Sequence, residues 1–166
     1  GWIALESGIA GGADIILVPE IESDMENVCN ELKARHRRGK TFSIIVVSEG
    51  ANIKGFDAGQ TIWAGRRHFS GIGEFVSKKI EDITGYETRV SVLGHIQRGG
   101  TPTAYDRLIG TRFGVKAVEM ITEGRFGEMA SLRDGKMQSV PIEKAVKKRK
   151  TIDMELYAMA SVFFAG

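Results

Sequence analysis

Cysteine occurs once in this 166-residue chain, at Cys29, so an internal disulfide is excluded and the usage suits a reducing, cytoplasmic setting. Histidine occurs only three times, and with a single cysteine no pair falls at the spacing of a metal site. Charge of one sign is scarce as well. Twenty-three Lys and Arg against 21 Asp and Glu leave a formal +2, too small and too scattered to imply a nucleic-acid partner. No apolar run approaches the roughly 18 residues of a membrane span. The first residues, GWIALESGIAGGAD, lack an initiator Met, a basic n-region and a cleavage pattern. No signal peptide is expected, and the chain reads as a piece cut from a longer protein. What remains is an ordinary globular composition, 42% hydrophobic and 27% charged, with a length that suits one domain spanning 1–166.

Within that frame the pattern alternates. Residues 1–10 are helical in pattern and end at Gly11-Gly12. Asp14–Val18 (DIILV) is a short apolar run stopped by Pro19, which predicts a buried strand. In the next segment Ser23 precedes Glu26 by three residues, a capping-box spacing, and basic residues with Gly39 suit the helix's C-terminal end. Met25, Val28, Cys29 and Leu32 recur at i, i+3, i+4 and i+7, so Cys29 is expected on a buried helix face, where a thiol is a poor nucleophile. Phe42–Gly50 is a second apolar, β-branched run. A long, glycine-spotted connection over 51–72 follows, of a length that points to function or mobility. An amphipathic helix with Phe75, Val76, Ile80 and Ile83 on its apolar side leads to a third expected strand, Thr88–Gly94. Thr101 as N-cap and Pro102 at the first helical position are expected to open the next helix. Ala130–Ile142 predicts a hairpin about Asp134-Gly135, and two short helices near 142–148 and 153–162 close the chain. Strands alternating with helices of this length predict an α/β fold, a three-layer α/β/α sandwich around a mainly parallel sheet.

In an open parallel sheet, ligands bind beyond the carboxyl ends of the strands. That rule nominates Glu20 and Glu22, then Glu49, then the segment LGHIQRGGTPTAYDR (Leu93–Arg107). There, Gly99 and Gly100 permit close backbone approach, the following helix offers N–H groups, and His95 and Arg98 add side-chain donors. The arrangement suits an anion such as a phosphate; the alternative is a charged turn, with His95 capping a carbonyl and Arg98 in water. Glu49, by contrast, would repel a phosphate and suits sugar hydroxyls, or is an exposed loop residue. GIGEFV (Gly71–Val76) lacks the third glycine of a dinucleotide fingerprint and follows a loop. Lys147–Lys150 (KKRK) reads as a solvated helix end.

The segments ETRVSVLGHIQRGGTPTAYDR and GIAGGADIILVPE closely resemble the C-terminal half of the 6-phosphofructokinase family, and the similarity runs in order through most of the chain. The resemblance implies an enzyme that moves a phosphoryl group from ATP, or pyrophosphate, to the 1-hydroxyl of fructose 6-phosphate in glycolysis. It implies that His95, Arg98 and Arg89 contact the 6-phosphate and Glu49 the sugar hydroxyls. The family's equivalent of Arg89 reaches into a neighbouring subunit, so a homodimer or homotetramer is expected. The glycine-rich nucleotide loop, the base aspartate and the Mg²⁺ ligand of the family belong to an N-terminal half, so the isolated fragment is expected to be inactive and to hold no catalytic or metal-binding residue. Asp14, Arg38 and Lys40 fall where allosteric members meet an effector's metal and phosphates; for the basic segment the competing reading is helix-dipole compensation. Asp14 is one methylene shorter than the family's glutamate. A non-catalytic phosphosugar-sensing module on the same half-fold is the alternative from another class.

Overall fold

The computed structural model describes residues 1–56, 61–63, 66–68 and 71–164. They form two compact units, one from Gly1–Val92 with Thr151–Gly166 and the other from Leu93–Lys150.

The first unit is built around a parallel pair of strands, β1 (Ile15–Leu17) and β2 (Ile45–Val47), with Ile15 opposite Ile45 and Leu17 opposite Val47. Every residue of β1 is buried, which explains why its sequence is continuously apolar rather than alternating. Its two faces serve two cores. Ile15 and Leu17 join Met25, Val28, Cys29 and Leu32 of α2 (Met25–Arg37) and Ile72, Val76 and Ile80 of α3 (Ile72–Thr84). Ile16 and Val18 join Leu5 of α1 (Trp2–Ala10) and Ile152 and Ala160, the latter on α6 (Met154–Phe164). Helices therefore cover both faces of a parallel pair, the α/β/α layering that alternation predicts. The approach of α1 is close: a Cβ at Gly8 would stand 2.6 Å from Ile16 Cδ1, so a hydrogen is all that fits there.

Cys29 is fully buried, as its spacing on α2 implies, and desolvation pushes its thiol above the ordinary range. The helix starts one residue later than the capping-box spacing suggests: its N-cap is Asp24, whose carboxylate accepts the Glu26 N–H at 2.9 Å. Ser23 is drawn instead into a parallel bridge with Ile53, donating its N–H to the Asn52 carbonyl and accepting that of Lys54. Part of the 51–72 connection is the antiparallel pair β3 (Thr61–Trp63) and β4 (Arg66–His68); residues 57–60, 64–65 and 69–70 lie outside the described residues.

The expected third strand over Thr88–Gly94 does not form among the described residues. Tyr86–Val92 joins no sheet and lies along α3. Val90, Val92 and Leu93 are exposed, so the β-branched run supplies propensity without a partner ladder, and propensity alone does not make a strand.

The second unit contains α4 (Ala104–Thr122), the hairpin β5 (Glu128–Arg133) and β6 (Lys136–Pro141), and α5 (Ile142–Val146). The hairpin turns at Asp134 and Gly135 with φ of 49° and 75°, the paired left-handed residues of a type I′ turn. Arg112 donates to the Gly135 carbonyl, tying α4 to the hairpin, and Arg125, just beyond the helix, donates from Nη1 to Ser139 Oγ at 3.1 Å.

Candidate functional site

The residues nominated by sequence fall into three places. Glu49 lies directly beyond β2, in a turn closed by the Ala51 N–H donating to the Ser48 carbonyl at 2.9 Å. Gly50 in that turn packs toward Pro19, which ends β1. Glu49 is exposed and stands at the carboxyl edge of the parallel pair, where this class of sheet receives ligands.

His95 and Arg98 share one short 3-10 helix, Gly94–Arg98, in the second unit. Both are exposed, and neither side chain makes a hydrogen bond or ion pair among the described residues. Gly99 ends the segment with φ 93°, a conformation that favours glycine and turns the chain sharply after the arginine. Two cationic or donor side chains three residues apart on a 3-10 helix lie nearly on one side of it. They can therefore converge on one anion.

The helix that follows is organised differently from expectation. Its N-cap is Thr103, not Thr101, and Pro102 precedes the helix instead of opening it. Thr103 Oγ1 accepts the Asp106 N–H at 3.2 Å, while Asp106 Oδ2 accepts the Thr103 N–H at 2.8 Å and its hydroxyl at 2.7 Å. The two reciprocal bonds consume N–H groups that Leu93–Arg107 had offered to an anion and place a carboxylate at the positive end of α4. The signal was present: Thr103 and Asp106 are spaced three apart ahead of an apolar run. Any capacity of this segment for an anion therefore rests on His95 and Arg98 more than on the helix terminus.

Arg89 lies in the first unit, on the extended segment that replaces the expected strand. Its side chain is 89% exposed and touches only Glu87, at 3.2 Å, among the described residues. Such an exposed pair holds a guanidinium weakly, leaving it available to another ligand.

Asp14, Arg38 and Lys40 gather at the opposite, amino edge of the parallel pair. Asp14 precedes β1 and its carboxylate is already used: Oδ1 pairs with Arg35 and Oδ2 accepts the Ile44 N–H at 2.8 Å. Arg35, 6% exposed, also donates Nε–H to Ser43 Oγ at 3.3 Å. Sequence reading missed Arg35, since a basic residue near a helix C-terminus reads equally as a solvated dipole partner. Arg38 caps the C-terminal end of α2, and the Lys40 N–H donates to the Arg35 carbonyl. No group of three His, Cys, Asp or Glu among the described residues is placed to hold a metal ion, and no described helix is long and apolar enough to cross a membrane.

A family model described as Phosphofructokinase matches residues 1–121. The chain is similar to ATP-dependent 6-phosphofructokinase 1 of Synechocystis sp., 46% identical over 93% of this chain and 43% of that protein. It is equally similar to the pyrophosphate--fructose 6-phosphate 1-phosphotransferase of Streptomyces coelicolor, 46% identical over 99% of this chain and 49% of that protein. A solved structure of phosphofructokinase from Saccharomyces cerevisiae superposes with a TM-score of 0.65 at 30% identity, covering 98% of this chain and 20% of that one. The chain spans less than half the length of these two curated relatives. With a family match across well over half its residues and a fold to suit, the chain belongs to the phosphofructokinase family.

Proposed function

We propose that this chain is the sugar-phosphate-binding half of a cytoplasmic 6-phosphofructokinase, which transfers a phosphoryl group from ATP to the 1-hydroxyl of fructose 6-phosphate. The observation that carries the reading is the pair His95 and Arg98, exposed together on one 3-10 turn ended by Gly99, in a chain whose relatives are named as enzymes of this substrate. In this reading the two side chains grip the 6-phosphate dianion. Arg98 supplies a bidentate fork and His95 a further donor. Glu49 accepts hydrogen bonds from sugar hydroxyls, fixing the ring so that the 1-hydroxyl faces the donor. Arg89 completes the phosphate grip of a neighbouring subunit.

Phosphoryl transfer is governed by positioning and charge neutralisation. The acceptor oxygen forms a bond to the terminal phosphorus as the bond to the leaving phosphate breaks, and the hydroxyl proton passes to a base in the other half. In this reading magnesium and the nucleotide are bound mainly by that other half as well. Pyrophosphate as donor is a second reading, favoured by the equal similarity to a pyrophosphate-dependent relative; turnover of the full-length enzyme with each donor decides between them. The reading extends to Asp14, Arg38 and Lys40 as an effector-facing end, where a metal on Asp14 would have to displace the Arg35 guanidinium.

The test is Arg98→Ala in the full-length enzyme. Each charge-assisted hydrogen bond is worth roughly 1.5–3 kcal/mol, so KM for fructose 6-phosphate is expected to rise about 10- to 100-fold while KM for the donor stays near wild type. An unchanged sugar KM would count against the assignment.

A further inference from the structure

Arg89 lies on the extended segment Tyr86–Val92. Among the described residues Tyr86–Val92 pairs with no strand, so its path is set by contacts to α3. Three of these converge on Thr88. Glu81 Oε1 accepts the Thr88 N–H at 2.9 Å and the Thr88 hydroxyl at 2.8 Å. Ser77, one turn earlier on the same helix, shares a hydrogen bond with the same hydroxyl. Flanking contacts are looser or apolar. The Tyr86 N–H donates to Thr84 Oγ1 at 3.1 Å, the Tyr86 ring tilts against His36 at 5.0 Å, and Val90 lies against Gly73, where a Cβ would stand 3.1 Å from Val90 Cγ1. Alpha-3 itself is rigidly seated, with Ile72, Val76 and Ile80 in the core. Glu81 therefore links a fixed helix to the backbone one residue before Arg89, and does so through both donors that Thr88 offers.

We propose that Glu81 is a positioning residue for sugar-phosphate binding, clamping Thr88 so that Arg89 projects from a fixed point on α3 toward the phosphate of a neighbouring subunit. This inference rests on the role given to Arg89 under the proposed function. The physical case is one of preorganisation. Arg89 is a long side chain with 89% of its surface in water, and ordering it on a mobile backbone would subtract from its grip. A carboxylate accepting both the N–H and the hydroxyl of one residue restrains the backbone at that point. In accord with the geometry, the Thr88 backbone and hydroxyl donors hold the Glu81 carboxyl below the ordinary range. A glutamine at 81 retains an acceptor oxygen of the same reach, whereas alanine retains none.

The experiment uses the full-length enzyme with fructose 6-phosphate varied at saturating donor. Glu81→Ala is expected to raise sugar KM about fivefold with kcat within about twofold, whereas Glu81→Gln restores a near-wild-type KM. Thr88→Val, which keeps the N–H and loses the hydroxyl, is expected to fall between, and stands in for Glu81→Ala if that variant does not fold. The decisive comparison is with Arg89→Ala. If the clamp acts through Arg89, Glu81→Ala adds nothing to the KM of Arg89→Ala in the double variant. An additive double variant, or an unchanged KM in Glu81→Ala while Arg89→Ala is impaired, overturns the clamp. An unchanged KM in Arg89→Ala overturns the role of Arg89 itself, a different failure.

Discussion

Arg35 brings a guanidinium into the protein at 6% exposure, where its desolvation is offset by Asp14 and by Ser43. The same Asp14 carboxylate accepts the Ile44 N–H, so three segments meet at it: the C-terminal turn of α2, the entrance to β1 and the entrance to β2. Removing Asp14 takes the carboxylate away from a buried guanidinium, which costs more than the pair contributes. Asp14→Ala is expected to destabilise the full-length protein by about 3 kcal/mol, read as a lower denaturant midpoint at unchanged slope. A midpoint within error of wild type would show that the guanidinium finds other partners. The effect on stability also separates this role from an effector role, which would shift regulation and leave the midpoint in place. Gly8 offers a second case at this scale. A methyl at Gly8 meets Ile16 Cδ1 at 2.6 Å, and that side chain is 1% exposed. Overpacking by Gly8→Ala is expected to cost about 1–3 kcal/mol.

Elements show where local chemistry suffices. Alpha-4 begins where the reciprocal pair Thr103 and Asp106 dictates, two residues beyond the start that Thr101-Pro102 suggests. The threonine hydroxyl and then its N–H hold the Asp106 carboxyl below the ordinary aspartate range. A depressed folded-state value means that the cap's contribution is fully present above the unfolded aspartate value and is lost as pH falls through the folded one. Thr103→Ala removes the hydroxyl, so the Asp106 carboxyl is expected to titrate closer to the ordinary range, measured by side-chain carbon shifts in a pH series. An unmoved titration would mean that the backbone N–H alone sets it.

At this scale, too, sequence and structure part company in an instructive way. Helix α2, strands β1 and β2 and the β5–β6 hairpin were legible because each carries its own pattern: a 3.6 period, a two-sided apolar run, a turn dipeptide. Thr88–Gly94 carries a strand's composition, yet no described strand lies beside it to complete a ladder, and the segment is held by Glu81 and Ser77 instead. Of the candidate site residues, Glu49 was nominated by its place beyond a strand that forms. His95 and Arg98 were nominated beyond the expected Thr88–Gly94 strand, which does not form among the described residues, so only the glycines bounding their turn remain of that signal. Arg35 and Glu81 were not nominated, because their partners lie 21 and 7 residues away and no periodicity links them.

For the whole molecule, the proposed grip divides between subunits: Arg98 serves the site of its own chain and Arg89 that of a neighbour. Mixed oligomers of Arg89→Ala and Arg98→Ala full-length chains then contain sites in which both arginines are wild type. For a dimer, half the random pairs are mixed and one of two sites in each is intact, so about a quarter of wild-type activity is expected to return on co-expression. No recovery, or a fully active monomer by sedimentation, would rule out the shared site. The 166-residue chain is expected to show no phosphoryl transfer alone, and to regain it when joined to a half that supplies the nucleotide site and the base.

Sequence by itself determined the layering, since runs buried on both faces and amphipathic helices have one stable way to hide their apolar surface. It also placed an acid at the end of β2 and two donors on a glycine-bounded turn, because such features are local. Tertiary structure alone decided which charged groups are already occupied. Asp14 is held by Arg35 and Glu81 by Thr88, whereas His95, Arg98 and Glu49 hold no described partner. The reason is physical: a charge's availability depends on which donors and acceptors reach within about 3 Å of it, and the fold sets that distance.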